Sequence, residues 1–335
     1  MPFRDIAGHE QLKARIARAA LKGTLPPSLI FAGPAGVGKR MAALALAQLV
    51  NCLAPVDEDA CGECASCKRI ARGVHADVLL IEPEDSGTIK IDQIRNAIDR
   101  AAYRPFEGRR RVVIIDDAEQ IVPPAQDALL KTLEEPPNAT TIVLVTATPE
   151  LLLSTIRSRC QRLRFGRLAP AEVAGVLIRS HGYSEADAHT AAAMSDGSIG
   201  QALEGNSEAF VEARDAALQL LEIVATDPPP ARRIAGSVRL PGAGRGGSKG
   251  RSDREALAQS LRSMGTLLRD LGMLSAQADE RALANADLRV RLQRLERAFD
   301  GGRVLSAFAA VDKALAALDR NASPKIVADW LAFQL

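Results

Sequence analysis

The sequence predicts an α/β domain, built on a parallel five-stranded sheet with helices on both faces, followed by two all-helical regions. Three observations predict this architecture. Short β-rich runs alternate with helical stretches through residues 1–165. A glycine-rich turn joins the first of these runs to a helix. From about residue 166 the β-rich runs cease and only helical patterns continue.

The strands and helices of residues 1–165 follow from hydrophobic periodicity. The predicted strands are Ser28–Ala32, Asp77–Ile81, Arg111–Asp116, Thr141–Ala147 and, with the weakest pattern, Gln161–Phe165. The predicted helices between them are Glu10–Leu21, Arg40–Val50, Ile91–Tyr103 and Ala125–Glu135. The last of these must stop at the proline pair that follows it, because proline lacks the N–H that a helix needs.

The rest of the chain is expected to be helical. Residues 166–206 predict a small helical unit and residues 207–335 a larger one. Within the larger unit, the stretch "DPPPARRIAGSVRLPGAGRGGSKGRSDRE" is rich in Gly, Pro and Arg, and it predicts a flexible loop over residues 228–254. The basic charge of that loop fits either a solvated segment or a DNA contact.

Composition limits the classes of function. The 335 residues are 47% apolar with a net charge of +2, so overall charge gives no sign of nucleic-acid binding. No apolar run approaches the roughly 18 residues that a membrane helix needs. The N-terminal sequence lacks the apolar core of a secretory signal, which predicts a soluble cytoplasmic protein. In that reducing compartment the five cysteines indicate a metal site or free thiols instead of disulfides.

The sequence "GPAGVGKR" is a phosphate-binding loop in all but its last position. The residues predicted to surround a nucleotide are Gly33, Pro34, Gly36, Val37, Gly38, Lys39 and Arg40. Backbone N–H groups of such a loop converge on phosphate oxygens, and the lysine lies by the β and γ phosphates. The alternative is a glycine-rich turn without a ligand.

The metal side of this site departs from the pattern of a hydrolase. Arg40 stands where a Ser or Thr hydroxyl normally binds Mg²⁺, and a guanidinium has no lone pair for a metal. In "RVVIIDDAE", Asp116 is placed to hold Mg²⁺ or its water, and Asp117 stands where a catalytic Glu is usual. Aspartate is shorter by one methylene, and a misplacement of about 1 Å can cost roughly 10²-fold in rate. The alternative to a catalytic role is that Asp117 is a carboxylate at the end of the strand that caps the next turn.

Four cysteines follow the phosphate loop in the pattern C-x8-C-x2-C-x2-C. Cys52, Cys61, Cys64 and Cys67 can supply all four ligands of a tetrahedral zinc ion, so the zinc is expected to be structural. An iron–sulfur cluster and a redox-active pair are the alternatives. His75 is expected to be a loop residue, not a ligand, since four thiols are already present.

Taken together, these motifs resemble the AAA+ clamp-loader family of bacterial DNA polymerase III. The resemblance rests on "GPAGVGK", the cysteine insertion, "VVIIDDAE", and above all "LLKTLEEPP" followed by "SRC". It implies an AAA+ nucleotide-binding-type domain over 1–165 with a zinc-binding insertion at 52–67, a helical lid over 166–206 and a helical collar for oligomerisation over 207–335. Thr146 matches the first sensor position of the family.

Of the two kinds of subunit with this architecture, the sequence resembles the delta-prime kind more than the ATP-hydrolysing gamma/tau kind. Motor subunits carry a sensor arginine where this sequence has Gly200 in "SDGSIGQAL". Arg40, Asp117 and Gly200 are therefore three departures from the motor pattern, and together they predict that the chain alone is not an efficient ATPase.

The resemblance assigns the catalytic role to Arg159 of "SRC", which is expected to reach the nucleotide of a neighbouring subunit. Such a trans arginine stabilises charge on the γ-phosphate in the transition state. A surface arginine paired with a carboxylate is the alternative.

The implied function is DNA replication, as a mostly non-hydrolysing scaffold that helps to load a sliding clamp onto primed DNA. The implied partners are gamma/tau and delta subunits, the clamp and primer-template DNA, within a nucleotidyltransferase holoenzyme and without a membrane. The implied cofactors are structural zinc and, with doubtful hydrolysis, ATP and Mg²⁺. The alternatives are a gamma/tau-type motor, a free-standing phosphate-loop kinase or transferase, and a zinc-dependent DNA-binding module.

Overall fold

A parallel sheet organises the N-terminal part of the computed structural model. Its strands are β1 (Ser28–Ala32), β2 (Val78–Ile81), β3 (Arg111–Ile115), β4 (Thr140–Thr146) and β5 (Gln161–Arg164). They lie in the order β2-β3-β4-β1-β5, and every pair is parallel. The predicted five-stranded parallel sheet is confirmed, and the strand ends differ from the prediction by one residue or less.

Helices cover both faces of this sheet. They are α1 (Glu10–Leu21), α2 (Lys39–Asn51), α3 (Ala65–Ala71), α4 (Ile91–Ala102), α5 (Pro123–Glu134) and α6 (Ser154–Arg159). Successive strand residues point to opposite faces, so Ile30 and Phe31 belong to two different apolar cores. The strands β1, β3 and β4 are therefore buried on both faces, as central parallel strands are, whereas the edge strand β5 is largely exposed.

The structure describes residues 1–84, 86–204, 208–244, 250–278, 283–320 and 322–335. They divide into two compact units, residues 1–201 and residues 202–335. Three helices follow the sheet, α7 (Pro170–His181), α8 (Glu185–Met194) and α9 (Ile199–Glu204). The first two, and the start of the third, belong to the first unit. The predicted lid, 166–206, ends outside the described residues, and its standing as a separate domain stays a prediction.

The second unit is helical. Its helices are α10 (Glu208–Ala225), α11 (Pro230–Ser237), α12 (Gly250–Ser275), α13 (Arg289–Leu295), α14 (Gly301–Asp319) and α15 (Pro324–Gln334). Leu and Ala dominate its core. Trp330, the only tryptophan in the sequence, lies partly exposed on α15. Among the described residues no helix is both long and apolar enough to cross a membrane.

The predicted flexible loop at 228–254 is wrong over much of its length. Residues Pro230–Ser237 form α11, and α12 already begins at Gly250. The prolines misled the prediction, because proline in the first turn of a helix loses no hydrogen bond and already has a helical φ. Leu240 is also buried, in the core of this unit. Residues 245–249 of the predicted loop lie outside the described residues.

A buried aspartate fixes the loop that leads into β3. Asp77 accepts hydrogen bonds from the backbone N–H groups of Phe106, Glu107 and Gly108 and from the Arg111 guanidinium. Burial alone would raise the pKa of Asp77, but these hydrogen bonds lower it to about 2. The carboxylate therefore remains charged and holds the loop against the start of the sheet.

Candidate nucleotide site and metal centre

The phosphate loop connects β1 to α2 and takes its shape from glycine. Gly36 and Gly38 have φ values of 73° and 94°, a region that side chains disfavour. Gly38 is the residue that immediately precedes α2, so the loop ends at the N-terminus of that helix. Gly33 donates its N–H to the carbonyl of Thr146 at the end of β4. The backbone thus has the form of a phosphate cradle.

Lys39 is bound to its own loop. Its Nζ donates to the carbonyl oxygens of Gly33 at 2.7 Å and Pro34 at 2.6 Å. Burial lowers the pKa of Lys39, and the nearby carboxylates of Glu119 and Asp116 oppose that shift. The ammonium therefore lies in an acidic environment and is held by two carbonyls.

Arg40 points toward the acidic residues of the site. Its Nη1 forms ion pairs with Glu82, at the end of β2, and with Oδ2 of Asp116, at 3.4 Å. The guanidinium thus lies against Asp116, the carboxylate predicted to hold Mg²⁺. The residues on this side do not fit a Mg²⁺–ATP complex, since a fixed cation lies at the metal's carboxylate and the hydroxyl ligand is absent.

The two aspartates after β3 have different environments. Burial, followed by the charge of Asp117, raises the pKa of Asp116 to about 6, although Arg40 opposes the shift. Asp117 is exposed and has a left-handed backbone with φ of 47°. Its N–H donates to Oδ1 of Asp116 at 3.2 Å. Only Asp116 of the pair is therefore largely withdrawn from water.

Glu119 is a member of this site that the sequence reasoning missed. Its Oε1 accepts the N–H of Ala147, the residue after Thr146, at 3.0 Å, and burial raises its pKa. Of the carboxylates near Lys39, it has the largest electrostatic effect on that lysine. The available signal was its place in "DDAE", three residues after Asp116. Thr146 is buried and accepts the N–H of Thr148 at its hydroxyl, at 3.1 Å.

The start of α9 and Ser198, the residue before it, pack directly on the phosphate loop. Gly200 donates its N–H to the carbonyl of Gly36 at 3.3 Å. A Cβ placed on Gly36 would lie 2.1 Å from Oγ of Ser198, and one on Gly200 would lie 3.2 Å from Cα of Gly36. Glycine at both positions therefore permits this approach. Gly200, which was predicted to stand at a sensor-arginine position, thus makes a backbone-to-backbone contact with the loop.

The four cysteines of the insertion come together. Cys52 ends α2, Cys64 caps the start of α3, and the ligand atoms of Cys52, Cys61, Cys64 and Cys67 all lie within 4.8 Å of one another. The thiols of Cys61 and Cys67 are 4.0 Å apart. Tetrahedral zinc with Zn–S bonds of about 2.3 Å separates its sulfurs by about 3.8 Å, so the four thiols can hold a zinc ion.

The backbone reaches the thiols with hydrogen bonds, and at Cys64 these favour the thiolate. Backbone N–H groups of Cys61, Cys64 and Cys67 each point at a sulfur of the cluster, at 3.3 to 3.4 Å. Burial would raise the pKa of Cys64, yet hydrogen bonds from Cys67 and Leu53 lower it to about 6. Burial raises the pKa of Cys52 and Cys67. His75 lies outside the cluster, with Nε2 at 3.1 Å from Oγ of Ser66.

Arg159 is the last residue of α6 and is distant in sequence from the phosphate loop. Its Nη2 is 2.5 Å from Oε1 of Glu134, at the end of α5, and its Nη1 donates to the carbonyl of Thr155. About a third of the side chain is exposed. Cys160, the next residue, is buried outside the cysteine cluster, and burial raises its pKa to about 12.

The structure thus arranges the predicted site residues in three groups. The first comprises the phosphate loop from Gly33 to Arg40 together with Asp116, Asp117 and Thr146. The second comprises the four thiols. Arg159 is bound to Glu134 as a third group. Glu82, Glu119 and Ser198 complete the first group and were not predicted; Glu82 and Ser198 come from elements distant in sequence from the phosphate loop, whereas Glu119 directly follows the predicted aspartates.

Comparison with known proteins gives matches over about half of the chain or less. Residues 8–169 match the family described as "DNA polymerase III, delta subunit". The chain is similar to the tau subunit of DNA polymerase III from Bacillus subtilis, with 38% identity over 174 residues, 52% of this chain and 30% of that protein. It is also similar to the delta' subunit from Pseudomonas aeruginosa, with 41% identity over 129 residues, 38% of this chain and 39% of that protein.

A solved structure resembles a larger part of the chain. It is a protein of Thermotoga maritima described as related to the gamma subunit of DNA polymerase III, with 20% sequence identity. The match has a TM-score of 0.45 and covers 96% of this chain and 97% of that one. Across the two curated relatives, the chain spans between 30% and 39% of their length.

Proposed function

We propose, on the premise that residues 8–169 are a domain of the DNA polymerase III delta-subunit family with homology to tau/gamma and delta' subunits, that the chain is a clamp-loader subunit of the delta-prime type. In this role it turns over little ATP itself. It serves as a scaffold in an assembly that opens a sliding clamp and places it on primed DNA.

The position of Arg40 carries this proposal. Its guanidinium forms an ion pair with Asp116, the carboxylate that a hydrolytic subunit needs for Mg²⁺. If Arg40 moved away, Asp116 would lose the charge that stabilises its ionised form, which burial already disfavours. The loop, with its amides and Lys39, retains the form that holds phosphate, so the proposal separates nucleotide binding from hydrolysis.

The catalytic contribution that we assign to the chain is Arg159. As a trans arginine finger it would stabilise the γ-phosphate charge at the site of a neighbouring ATPase subunit, an effect worth roughly 10³–10⁵ in rate. The exposure of about a third of the Arg159 side chain supports the assignment, because a neighbouring subunit could reach it, whereas its ion pair with Glu134 is equally expected of a surface arginine. The pairing is a surface ion pair worth about 0.2–1 kcal/mol and is easily exchanged for a phosphate.

The partners in this proposal are gamma/tau and delta subunits, the sliding clamp, and primer-template DNA reached through the assembly. Residues 207–335 would form the collar that joins the subunits, and the helices after residue 166 would form the lid. Zinc at Cys52, Cys61, Cys64 and Cys67 would be structural, since four protein ligands leave no position for a substrate.

The test is the ATPase rate of a complex reconstituted from this chain and the gamma/tau and delta subunits of the same organism. Arg159→Ala should lower the rate of the complex at least tenfold while size-exclusion chromatography shows intact assembly. Arg157→Ala is the matched control, since Arg157 is an exposed arginine on the same helix. Equal rates for the Arg159 variant and the wild type would refute the trans role.

A gamma/tau-type motor is the second candidate, favoured by the similarity to a tau subunit over 174 residues. The purified chain decides between the two. A motor hydrolyses ATP alone and loses activity when Lys39 is changed to Ala. A delta-prime type subunit shows no turnover that depends on Lys39. The free-standing kinase or transferase has no observation in its favour.

A further inference from the structure

A recess lies at the β5 edge of the sheet, at the opposite end of the strands from the phosphate loop. It lies between α1 and the beginnings of β1 and β5, and has a volume of about 430 Å³. Ile16, Leu25, Leu29 and Leu163 form an apolar floor. The phosphate loop follows the C-terminal end of β1, whereas the recess lies by the N-terminal ends of β1 and β5. The recess therefore takes no part in the site described above.

Three cations form its rim. Arg15, Arg18 and Lys22 line the recess and are all exposed. Their spacing of three and four residues places Arg15 and Arg18 on one stripe of α1 and Lys22 in line with them just past its end, over a rise of about 10 Å. Among the described residues, Arg15 and Lys22 have no ion-pair partner, and Arg18 bonds only to the carbonyl of Ala14. None of the described lining residues is acidic.

We propose that this recess binds an acidic peptide segment of another polypeptide, in which carboxylates flank an apolar anchor residue. The rim supplies charge complementarity, and the apolar floor receives the anchor. In an extended peptide, side chains on one face repeat about every 6.7 Å. Two carboxylates at that spacing fit within the roughly 10 Å length of the rim.

The floor distinguishes a peptide from a nucleic acid. Proteins that bind single strands combine a basic groove with aromatic side chains on which the bases stack. The described lining of this recess contains no aromatic residue, and its interior is formed by aliphatic side chains. Phosphates would satisfy the rim but would leave the apolar floor without a partner.

The recess can be tested without a known partner, with a fluorescein-labelled hexapeptide of alternating aspartate and leucine. Its anisotropy is titrated with the full chain at low salt. Three further probes separate the contributions: the peptide with asparagine for aspartate, the peptide with serine for leucine, and a labelled thymidine oligonucleotide. We expect the first peptide to bind most tightly and its affinity to fall as salt rises, since salt screens exposed charges.

Two variants locate the binding. Changing Arg15, Arg18 and Lys22 together to Gln should weaken the peptide about tenfold, from the typical strength of three exposed ion pairs. Ala19→Trp should block the floor without changing charge, since Ala19 lines the recess and is half-buried. Ala19→Met replaces it if the tryptophan variant does not fold. The matched control changes Arg95, Arg104 and Arg109 to Gln, three exposed arginines outside the recess.

The proposal is overturned if the wild-type chain does not bind the peptide, or if the control triple variant weakens it as much as the rim variant does. It is also overturned if the oligonucleotide binds more tightly than the peptide and loses affinity with the rim variant, which would identify a nucleic-acid surface. The test uses no nucleotide and no other subunit, so its outcome is independent of the proposed clamp-loader role.

Discussion

The contact between the phosphate loop and the segment formed by residues 198–200, at the start of α9, gives a prediction with an internal control. We expect Gly36→Ala to release this segment from the loop. Gly23→Ala is the control, because Gly23 has nearly the same φ, 69° against 73°, and nothing within 4 Å of its added Cβ. The two variants therefore share the backbone strain and differ in the collision.

The size of the effect follows from three terms. A left-handed alanine costs about 1 kcal/mol in either variant. At Gly36 the new Cβ lies 2.1 Å from Oγ of Ser198, so the serine must retreat by more than an ångström, at a typical overpacking cost of about 1–3 kcal/mol. The hydrogen bond from Gly200 to Gly36 is worth about 1 kcal/mol more. We expect about 3–5 kcal/mol for Gly36→Ala and about 1 kcal/mol for Gly23→Ala.

Hydrogen exchange followed by mass spectrometry measures the effect where it occurs. In Gly36→Ala the peptides that cover residues 33–40 and 195–201 should exchange faster, as the free energy of local opening falls. Adding Ser198→Gly to Gly36→Ala should restore most of the protection, since it removes the atom that collides. Equal exchange in the Gly36 and Gly23 variants would refute the contact.

Three further predictions follow from other parts of the first unit. Cys67→Ser should lower the zinc content measured by atomic absorption, whereas Cys160→Ser should leave it unchanged. Asp116 has its folded pKa near 6, above the unfolded value, so its contribution lowers the free energy of unfolding as pH rises from about 4 to 6. Asp116→Asn should therefore stabilise the unit by about 2 kcal/mol at about pH 7 and have little effect near pH 4, by urea unfolding. Asp77→Ala should cost about 3 kcal/mol in the same assay, because it leaves the Arg111 guanidinium buried without its carboxylate; a loss below about 1 kcal/mol would contradict this.

The regular part of the first unit could be predicted from the sequence. The strands β1, β3 and β4 are apolar on both faces, which is the pattern of buried parallel strands, and α1 was predicted with its exact bounds as Glu10–Leu21. The short helices α3 and α6 were missed. Each has fewer than eight residues, too few to show a helical period.

The side-chain partners within the site could not be predicted. The sequence indicated that Arg40 was unusual, but its direction depends on Glu82 and Asp116, which come from two other strand ends. The approach of Gly200 to Gly36 likewise depends on how the helices after residue 166 pack. Motif spacing describes local geometry, and these contacts join residues more than forty positions apart.

The positions of Trp330 and of the cysteine cluster provide separate optical reporters for the two units. Trp330 lies in residues 202–335, so fluorescence excited selectively at tryptophan follows the second unit alone. The four thiols lie in residues 1–201, and cobalt in place of zinc gives such a cluster visible absorption. One denaturation experiment on the wild-type protein with bound cobalt can therefore follow tryptophan fluorescence and cobalt absorption together. Coincident transitions would show that the two units unfold cooperatively.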